Sequence, residues 1–115
     1  MSDRELLELA AKAAGLLGGA EWFEHGNCYL LKGPNGKFWT PLDNDGDALR
    51  LAVCINANIE IWHNEKFVRA NVFLKKRNLH CATSEKYTDD PYAATRRAIV
   101  RAAAAIGAAH KGDVT

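Results

Sequence analysis

The chain has 115 residues, 48% of them hydrophobic and 25% charged, and its formal net charge at pH 7 is +1. This length suits one domain, and the near-neutral charge excludes a bulk electrostatic attraction to nucleic acid or anionic membranes. No apolar run approaches the roughly 18 residues of a membrane span. The N-terminal segment mixes charged with apolar residues, which is typical of an amphipathic helix rather than a secretion signal. We therefore expect one cytoplasmic domain over residues 1–115, with a frayed tail at 110–115.

The N-terminal part of the sequence predicts a helix followed by a hairpin. Residues Asp3–Leu17 carry apolar side chains at helical spacing, with Ser2 or Asp3 as the N-cap and Gly18 and Gly19 ending the helix. Two short apolar runs flank the turn-forming stretch Gly33–Gly36, which predicts a β-hairpin.

A short second helix is predicted over Ala48–Ile55. Its apolar residues recur at helical spacing rather than in alternation, which favours a helix over a strand. The residues assigned to its apolar face are Leu49, Ala52 and Val53.

The C-terminal half predicts strands and a final helix. Asn58–His63 and Phe67–Leu74 read as the two strands of a hairpin, and His80–Thr83 reads as a further short strand. An alanine-rich helix starts at Pro91 and runs to about Ala109, capped by Asp89 or Asp90. Its alanines allow close approach of its backbone to a sheet or to another helix. The predicted apolar face includes Tyr92, Ile99, Ala103 and Ile106.

These elements together predict the fold class. Strands joined by hairpins form an antiparallel or mixed sheet, and helices cover its apolar faces. We expect an α+β fold, a single-domain layered α/β sandwich with a sheet of about four to five strands. The N- and C-terminal helices cover this sheet, and a short middle helix completes the fold.

Three aspartates, Asp43, Asp45 and Asp47, occupy alternate positions ahead of the middle helix. A calcium loop starting at Asp43 would need Gly at its sixth position and Glu at its twelfth, where Ala48 and Cys54 stand. A catalytic carboxylate pair would need a base and a pocket, which no neighbouring residue supplies. Capping of the helix N–H groups by Asp45 or Asp47 therefore explains the cluster best.

The tryptophans Trp22, Trp39 and Trp62 are numerous for this length. Core packing is the usual role of tryptophan, and one or two exposed rings would indicate a binding surface. Trp39, followed by Thr40 and Pro41 at the end of a strand, is the best candidate for the rim of such a surface.

The cysteines Cys28, Cys54 and Cys81 are widely spaced, which argues against disulfides and fits a reducing compartment. His25 and Cys28 have the spacing of a zinc half-site, but no second half-site follows. We expect buried free cysteines, no metal site and no cofactor.

A candidate basic patch consists of Arg69, Lys75, Lys76 and Arg77. The order helix, three strands, helix is also that of double-stranded RNA-binding domains, which need basic residues at a helix N-terminus. The last helix here begins Asp89-Asp90-Pro91, and this acidic start argues against the analogy.

Two segments of the chain resemble a known group of proteins. They are Trp39–Asp43 with its continuation Asp45–Val53, and the closing helix Asp90–Gly107. Together they resemble small bacteriophage and prophage proteins of the phage ABA-sandwich type and, more loosely, of the lambda NinX type. The resemblance implies a sheet between helical layers, and it implies no activity and no catalytic residue.

Three functions are compatible with the sequence. The first is a non-enzymatic phage or prophage accessory protein of the host-takeover or counter-defence class. It would bind a host or phage protein through Trp39, Pro41, Asp43, Asp45 and Asp47. The second is a nucleic-acid-binding module that uses the basic patch, which requires the patch to share a face with Arg97 or Arg101. The third is a small metal-dependent hydrolase or nucleotide-binding protein that uses the aspartates, although no catalytic motif indicates an enzyme. A homodimer is compatible with all three.

Overall fold

The structure is a computed structural model, and it describes residues 2–15, 20–23, 28–31, 38–74 and 79–110. The helices are α1 (Asp3–Ala13), α2 (Asp45–Cys54) and α3 (Pro91–His110). The strands are β1 (Ala20–Phe23), β2 (Cys28–Leu31), β3 (Phe38–Trp39), β4 (Asn58–Trp62), β5 (Phe67–Leu74) and β6 (Leu79–Lys86). The α+β class predicted from the sequence is therefore confirmed.

Helix α1 begins as predicted and ends earlier than predicted. Ser2 is the N-cap, and its side chain accepts a hydrogen bond from the backbone N–H of Glu5. The helix stops at Ala13 because Gly15 turns the chain with φ of 74°, a conformation that glycine adopts without strain. The predicted stop at Gly18 and Gly19 lies outside the described residues.

The first three strands form an N-terminal sheet of order β1-β2-β3. The predicted hairpin is confirmed, since Tyr29 pairs with Trp39 and Leu30 with Phe38 in antiparallel register. Its turn, Gly33–Gly36, lies outside the described residues. Strand β1 was not predicted, and it pairs antiparallel with β2 over its whole length.

The other three strands form a C-terminal sheet of order β4-β5-β6, which is antiparallel throughout. The hairpin of β4 and β5 is confirmed. Strand β6 is twice as long as the predicted His80–Thr83, because all eight of its residues, including its polar ones, pair with β5. The sheet that the helices cover therefore has three strands, fewer than the expected four to five, because the first three strands pair among themselves.

Helix α3 lies on the C-terminal sheet, between this sheet and the other two helices. One of its sides packs on β5 and β6, and α1 and α2 both pack against it. Its buried residues are mostly alanines, and they join the core formed by α1, α2 and β5. Thr83 on β6 donates a hydrogen bond from Oγ1 to the carbonyl of Ala98 at 2.7 Å, which ties the sheet to α3.

The two faces of the C-terminal sheet differ sharply. Successive side chains of a strand point to opposite faces, and Val68, Ala70 and Val72 of β5 are buried against α3. The face that carries them is the inner face. The alternate residues of β5 and their partners on β4 and β6 form the outer face, which no helix covers in the described part of the chain.

Gly107 marks the closest contact between α1 and α3. A Cβ atom at this position would lie 2.0 Å from the backbone carbonyl oxygen of Leu9, a distance that real Cβ atoms do not reach. Only glycine therefore allows the two helices to cross at this distance.

We predict that Gly107→Ala destabilises the protein by about 3 kcal/mol, because the added methyl forces two packed helices apart. At an exposed helical position the same change would stabilise by roughly 1 kcal/mol. Chemical denaturation followed by circular dichroism measures the difference.

Gly46→Ala is the matched control. Its new Cβ would meet only side-chain ends, of Asn44 at 3.2 Å and Arg50 at 3.4 Å, and these can move. We expect its free energy of unfolding to stay within about 1 kcal/mol of the wild type. Equal stability of the two variants would contradict the close contact at Gly107.

Candidate functional site

Asp47 holds the segment before α2 in place and is not available as a ligand. Its carboxylate is buried, accepts a hydrogen bond from the backbone N–H of Thr40 at 2.8 Å, and pairs with Arg50 at 2.6 Å. A carboxylate bound in this way stabilises the turn from β3 into α2. Asp47 is therefore a structural residue, and the expectation that it forms part of an exposed binding surface is wrong.

The cap of α2 is Asn44 rather than an aspartate. Its side-chain Oδ1 accepts a hydrogen bond from the backbone N–H of Asp47 at 2.8 Å, which corrects the prediction that Asp45 or Asp47 caps this helix. Asp45 stands in the first turn, where negative charge is favourable, and it pairs with Arg96 at 2.7 Å. Asp43 is exposed.

Arg96 lies between two helices rather than on a solvated helix face. Its side chain is mostly buried, and its Nε donates to the carbonyl of Leu42 at 2.8 Å while Nη1 binds Asp45. Arg96 therefore connects α3 to the start of α2. The sequence gives no signal for this contact, because 51 positions separate the two charges.

Trp39 is buried, with only 5% of its surface exposed, so the prediction that it forms the rim of a binding surface is wrong. Pro41 is also fully buried. Both side chains pack inward because the hydrogen bond between Thr40 and Asp47 draws this segment onto the start of α2. Of the five residues predicted to form a binding surface, Asp43 and Asp45 are exposed.

Arg69, the one candidate basic residue that the structure describes, does not share a face with the arginines of α3. Arg69 belongs to the outer face of the C-terminal sheet, whereas Arg97 and Arg101 pair with Glu85 on its inner face. The second function predicted from the sequence required such a shared face, and Arg69 does not provide it. Lys75, Lys76 and Arg77 lie outside the described residues.

A groove with a volume of about 710 Å³ lies between the β4–β5 connection and the start of α3. Four carboxylates line it, those of Glu65, Glu85, Asp89 and Asp90, with only three cationic side chains. The elements from α2 to α3 follow the order of a double-stranded RNA-binding domain. The N-terminus of α3, however, is capped by Asp90, which accepts the backbone N–H of Ala93 at 3.0 Å. This charge balance does not favour a phosphate backbone.

A second groove, about 410 Å³ in volume, is lined mainly by apolar side chains. It lies between α2 and α3, with β4 along its floor, and we call it the α2–β4–α3 groove. The floor of the groove consists of the small buried side chains of Ala48 and Ala52 and the partly buried Ile59. Asp45 and Arg96 lie at its rim.

Large apolar side chains stand exposed at and beside this groove. Leu49 is 65% exposed and Tyr92 is 68% exposed, and both line the groove together with the exposed Ile61. Val53, one turn after Leu49 on α2, is 74% exposed. The sequence assigned Leu49, Val53 and Tyr92 to buried faces, and the structure contradicts this because Ala48, Leu51, Ala52 and Ile55 form the buried face of α2.

The described residues offer no cluster suited to a metal ion. No group of three or more His, Cys, Asp or Glu side chains among them is arranged to hold one. Asp45 and Asp47 each face an arginine, and a neutralised carboxylate is a poor cation ligand. The metal-dependent hydrolase predicted as the third function therefore finds no support in the described geometry.

Cys54 and Cys81 are free cysteines. Cys54 is exposed, which contradicts the expectation that it is buried, because it stands at the exposed end of α2. Partial burial raises the pKa of the Cys81 thiol, which favours its protonated form. None of the described helices combines the length and apolar character that a membrane crossing requires.

We predict that Asp47→Ala destabilises the protein by about 1–3 kcal/mol, because the Thr40 N–H loses its acceptor and Arg50 loses its partner. Asp43→Ala, at an exposed neighbouring position, should change the free energy of unfolding by less than about 0.5 kcal/mol. Urea denaturation of both variants measures the difference. Equal losses would contradict the structural role assigned to Asp47.

Comparisons of the chain with models of protein families, with curated proteins and with solved structures found no match. The resemblance to small phage proteins stays a prediction from the sequence.

Proposed function

We propose that this chain is a small, non-enzymatic module that binds a partner protein through the α2–β4–α3 groove. The observation that supports this most directly is the exposure of Leu49, Ile61 and Tyr92 around a groove with an apolar floor. Exposed apolar groups that converge on one site mark interaction surfaces more often than singly scattered ones. Binding a partner would remove their apolar area from water, which provides the favourable free energy.

The charges around the groove define the chemistry of the partner. Asp43 and Asp45 are exposed at the N-terminal end of α2, next to the start of the apolar row formed by Leu49 and Val53. The carboxylate of Asp45 is largely solvent-exposed although it pairs with Arg96. We propose that the partner presents an amphipathic segment whose apolar side fills the groove and whose basic end meets these carboxylates.

The biological setting is part of the same proposal and rests on the sequence resemblance. A phage or prophage accessory protein would act in the bacterial cytoplasm on a host or phage protein, in host takeover or counter-defence. Asp43 and Asp45, two of the aspartates that the sequence analysis assigned to a binding surface, belong to the proposed surface. Trp39, Pro41 and Asp47 support the surface from inside.

We predict that a Leu49→Ser, Tyr92→Ser double variant folds normally and loses its partner, because both side chains are exposed and contribute little to the core. Truncation of a central interface residue typically weakens binding about tenfold or more. Tagged wild type and variant are compared by affinity purification from a bacterial host with isotope-labelled mass spectrometry. Light scattering of the purified wild type reports self-association.

Phe73→Ser is the matched control, since Phe73 is similarly exposed and lies on the outer face of the C-terminal sheet. A protein retained by the control and lost by the double variant, and bound more weakly by Asp45→Lys, supports the proposal. Enrichment that is identical in all variants contradicts it. A dimer that the double variant dissociates would assign the groove to a second copy and overturn the proposed heterologous partner.

A further inference from the structure

The outer face of the C-terminal sheet carries aromatic and basic side chains in regular positions. Cross-strand register aligns Trp62, Phe67 and Lys86 in one row and places Arg69 in the next. Trp62 is 42% exposed and Phe73 is 51% exposed, although a sheet face in water would normally carry polar residues. No helix in the described residues covers this face, and the packing of the core does not account for its aromatic rings.

The aromatic rings at one end of the face are held in a fixed orientation. Trp62 and Phe67 stack with 5.4 Å between ring centroids and 10° between ring planes. The guanidinium of Arg69 lies 5.7 Å from the centroid of Phe67. Because these contacts already restrict the ring of Trp62, little side-chain entropy is lost when a planar group stacks on it.

The distance along β5 fits an extended chain of several units. From Phe67 to Phe73 is about 20 Å at the rise of a β-strand, and Arg69 and Asn71 lie between them on the same face. The ligand would therefore present planar groups at both ends of this row and acceptors in the middle. A single strand of nucleic acid has this form, with bases that stack and phosphates that carry negative charge.

The charge of the face favours an acidic ligand of this kind over a basic or neutral one. Arg69 and Lys86 contribute two positive charges, and Glu60 contributes the one negative charge among the described outer-face residues. Glu60 accepts a hydrogen bond from Asn71 Nδ2 at 2.9 Å. His80 lies opposite Phe73 on this face and is exposed.

We propose that the outer face of the C-terminal sheet binds single-stranded nucleic acid, with bases stacked on Trp62 and Phe73 and phosphates near Arg69 and Lys86. This site lies on the opposite side of the sheet from α3 and from the α2–β4–α3 groove. It differs from the basic patch predicted from the sequence, because it depends on aromatic rings and does not involve Arg97 or Arg101.

The test is fluorescence anisotropy with labelled thymidine and uridine homopolymers of roughly 12 nucleotides, a length within the site sizes of small single-strand-binding domains. The full chain should bind both at low salt and bind a duplex of the same length more weakly. Comparison of the two affinities shows whether the face prefers single-stranded DNA or single-stranded RNA. Trp62→Ala and Phe73→Ala should each weaken binding by about 5- to 150-fold, the range for loss of one stacked base.

Two kinds of control separate stacking and charge from folding. Trp62→Phe should retain most of the affinity because it keeps a stacking ring, and Phe38→Ala, an exposed aromatic on β3, should have no effect. Arg69→Gln should lower the slope of log affinity against log salt by about 0.7, the value for one phosphate contact on a single strand. Arg4→Gln, on α1, should leave the slope unchanged.

Absence of binding by the wild type at low salt overturns this inference, as does an affinity that Trp62→Ala and Phe38→Ala reduce equally. An affinity that depends on salt and is unchanged by Trp62→Ala and Phe73→Ala would also overturn the inference. Such a result would indicate non-specific charge attraction. These outcomes are independent of the proposed protein partner, since the groove variants leave the outer face intact.

Discussion

The close crossing of α1 and α3 sets the arrangement of the rest of the structure. Gly107 meets the carbonyl of Leu9 where no side chain fits, and the buried positions of α3 between its neighbours are mainly alanine. A helix packed on opposite sides has room only for small side chains when its neighbours approach this closely. The polar contacts follow from the same proximity: Arg97 reaches Asp3 on α1 at 3.2 Å, and Arg96 reaches the start of α2.

This packing explains why large apolar side chains remain outside. The interior next to α3 is filled by Leu51 and Ile55 from α2 and by Val68 and Val72 from β5, so no interior space is left for Leu49 or Val53. Burial of apolar area is the main source of folding free energy, and a chain that leaves such residues in water forgoes part of it. The exposed residues are therefore better explained by binding than by stability.

Local pattern was enough to predict most elements, and it was not enough to predict which face of each element is buried. Alternation gave the bounds of β5, and the proline and the alanine content gave α3 almost to its last residue. On α2, however, two apolar stripes lie side by side, and only the position of α3 decides that Leu51 is buried and Leu49 exposed. Likewise, Trp39 and Trp62 both follow strand-like segments, and their opposite burial depends on contacts made far away in sequence. The polar strand β6 forms because β5 is beside it, a tertiary effect that propensity does not contain.

The two proposed surfaces are separate in position and are joined through one strand. Ile61 of β4 lines the groove, and its neighbour Trp62 belongs to the outer face, because successive side chains of a strand point to opposite sides. Among the described strands, β4 is at the edge of its sheet and pairs with β5 alone. A partner that binds in the groove and shifts β4 would therefore also move Trp62, which belongs to the proposed nucleic-acid surface. Coupling between two binding sites is reciprocal. If a protein partner changes the affinity of the chain for nucleic acid by some factor, nucleic acid changes the affinity for that partner by the same factor.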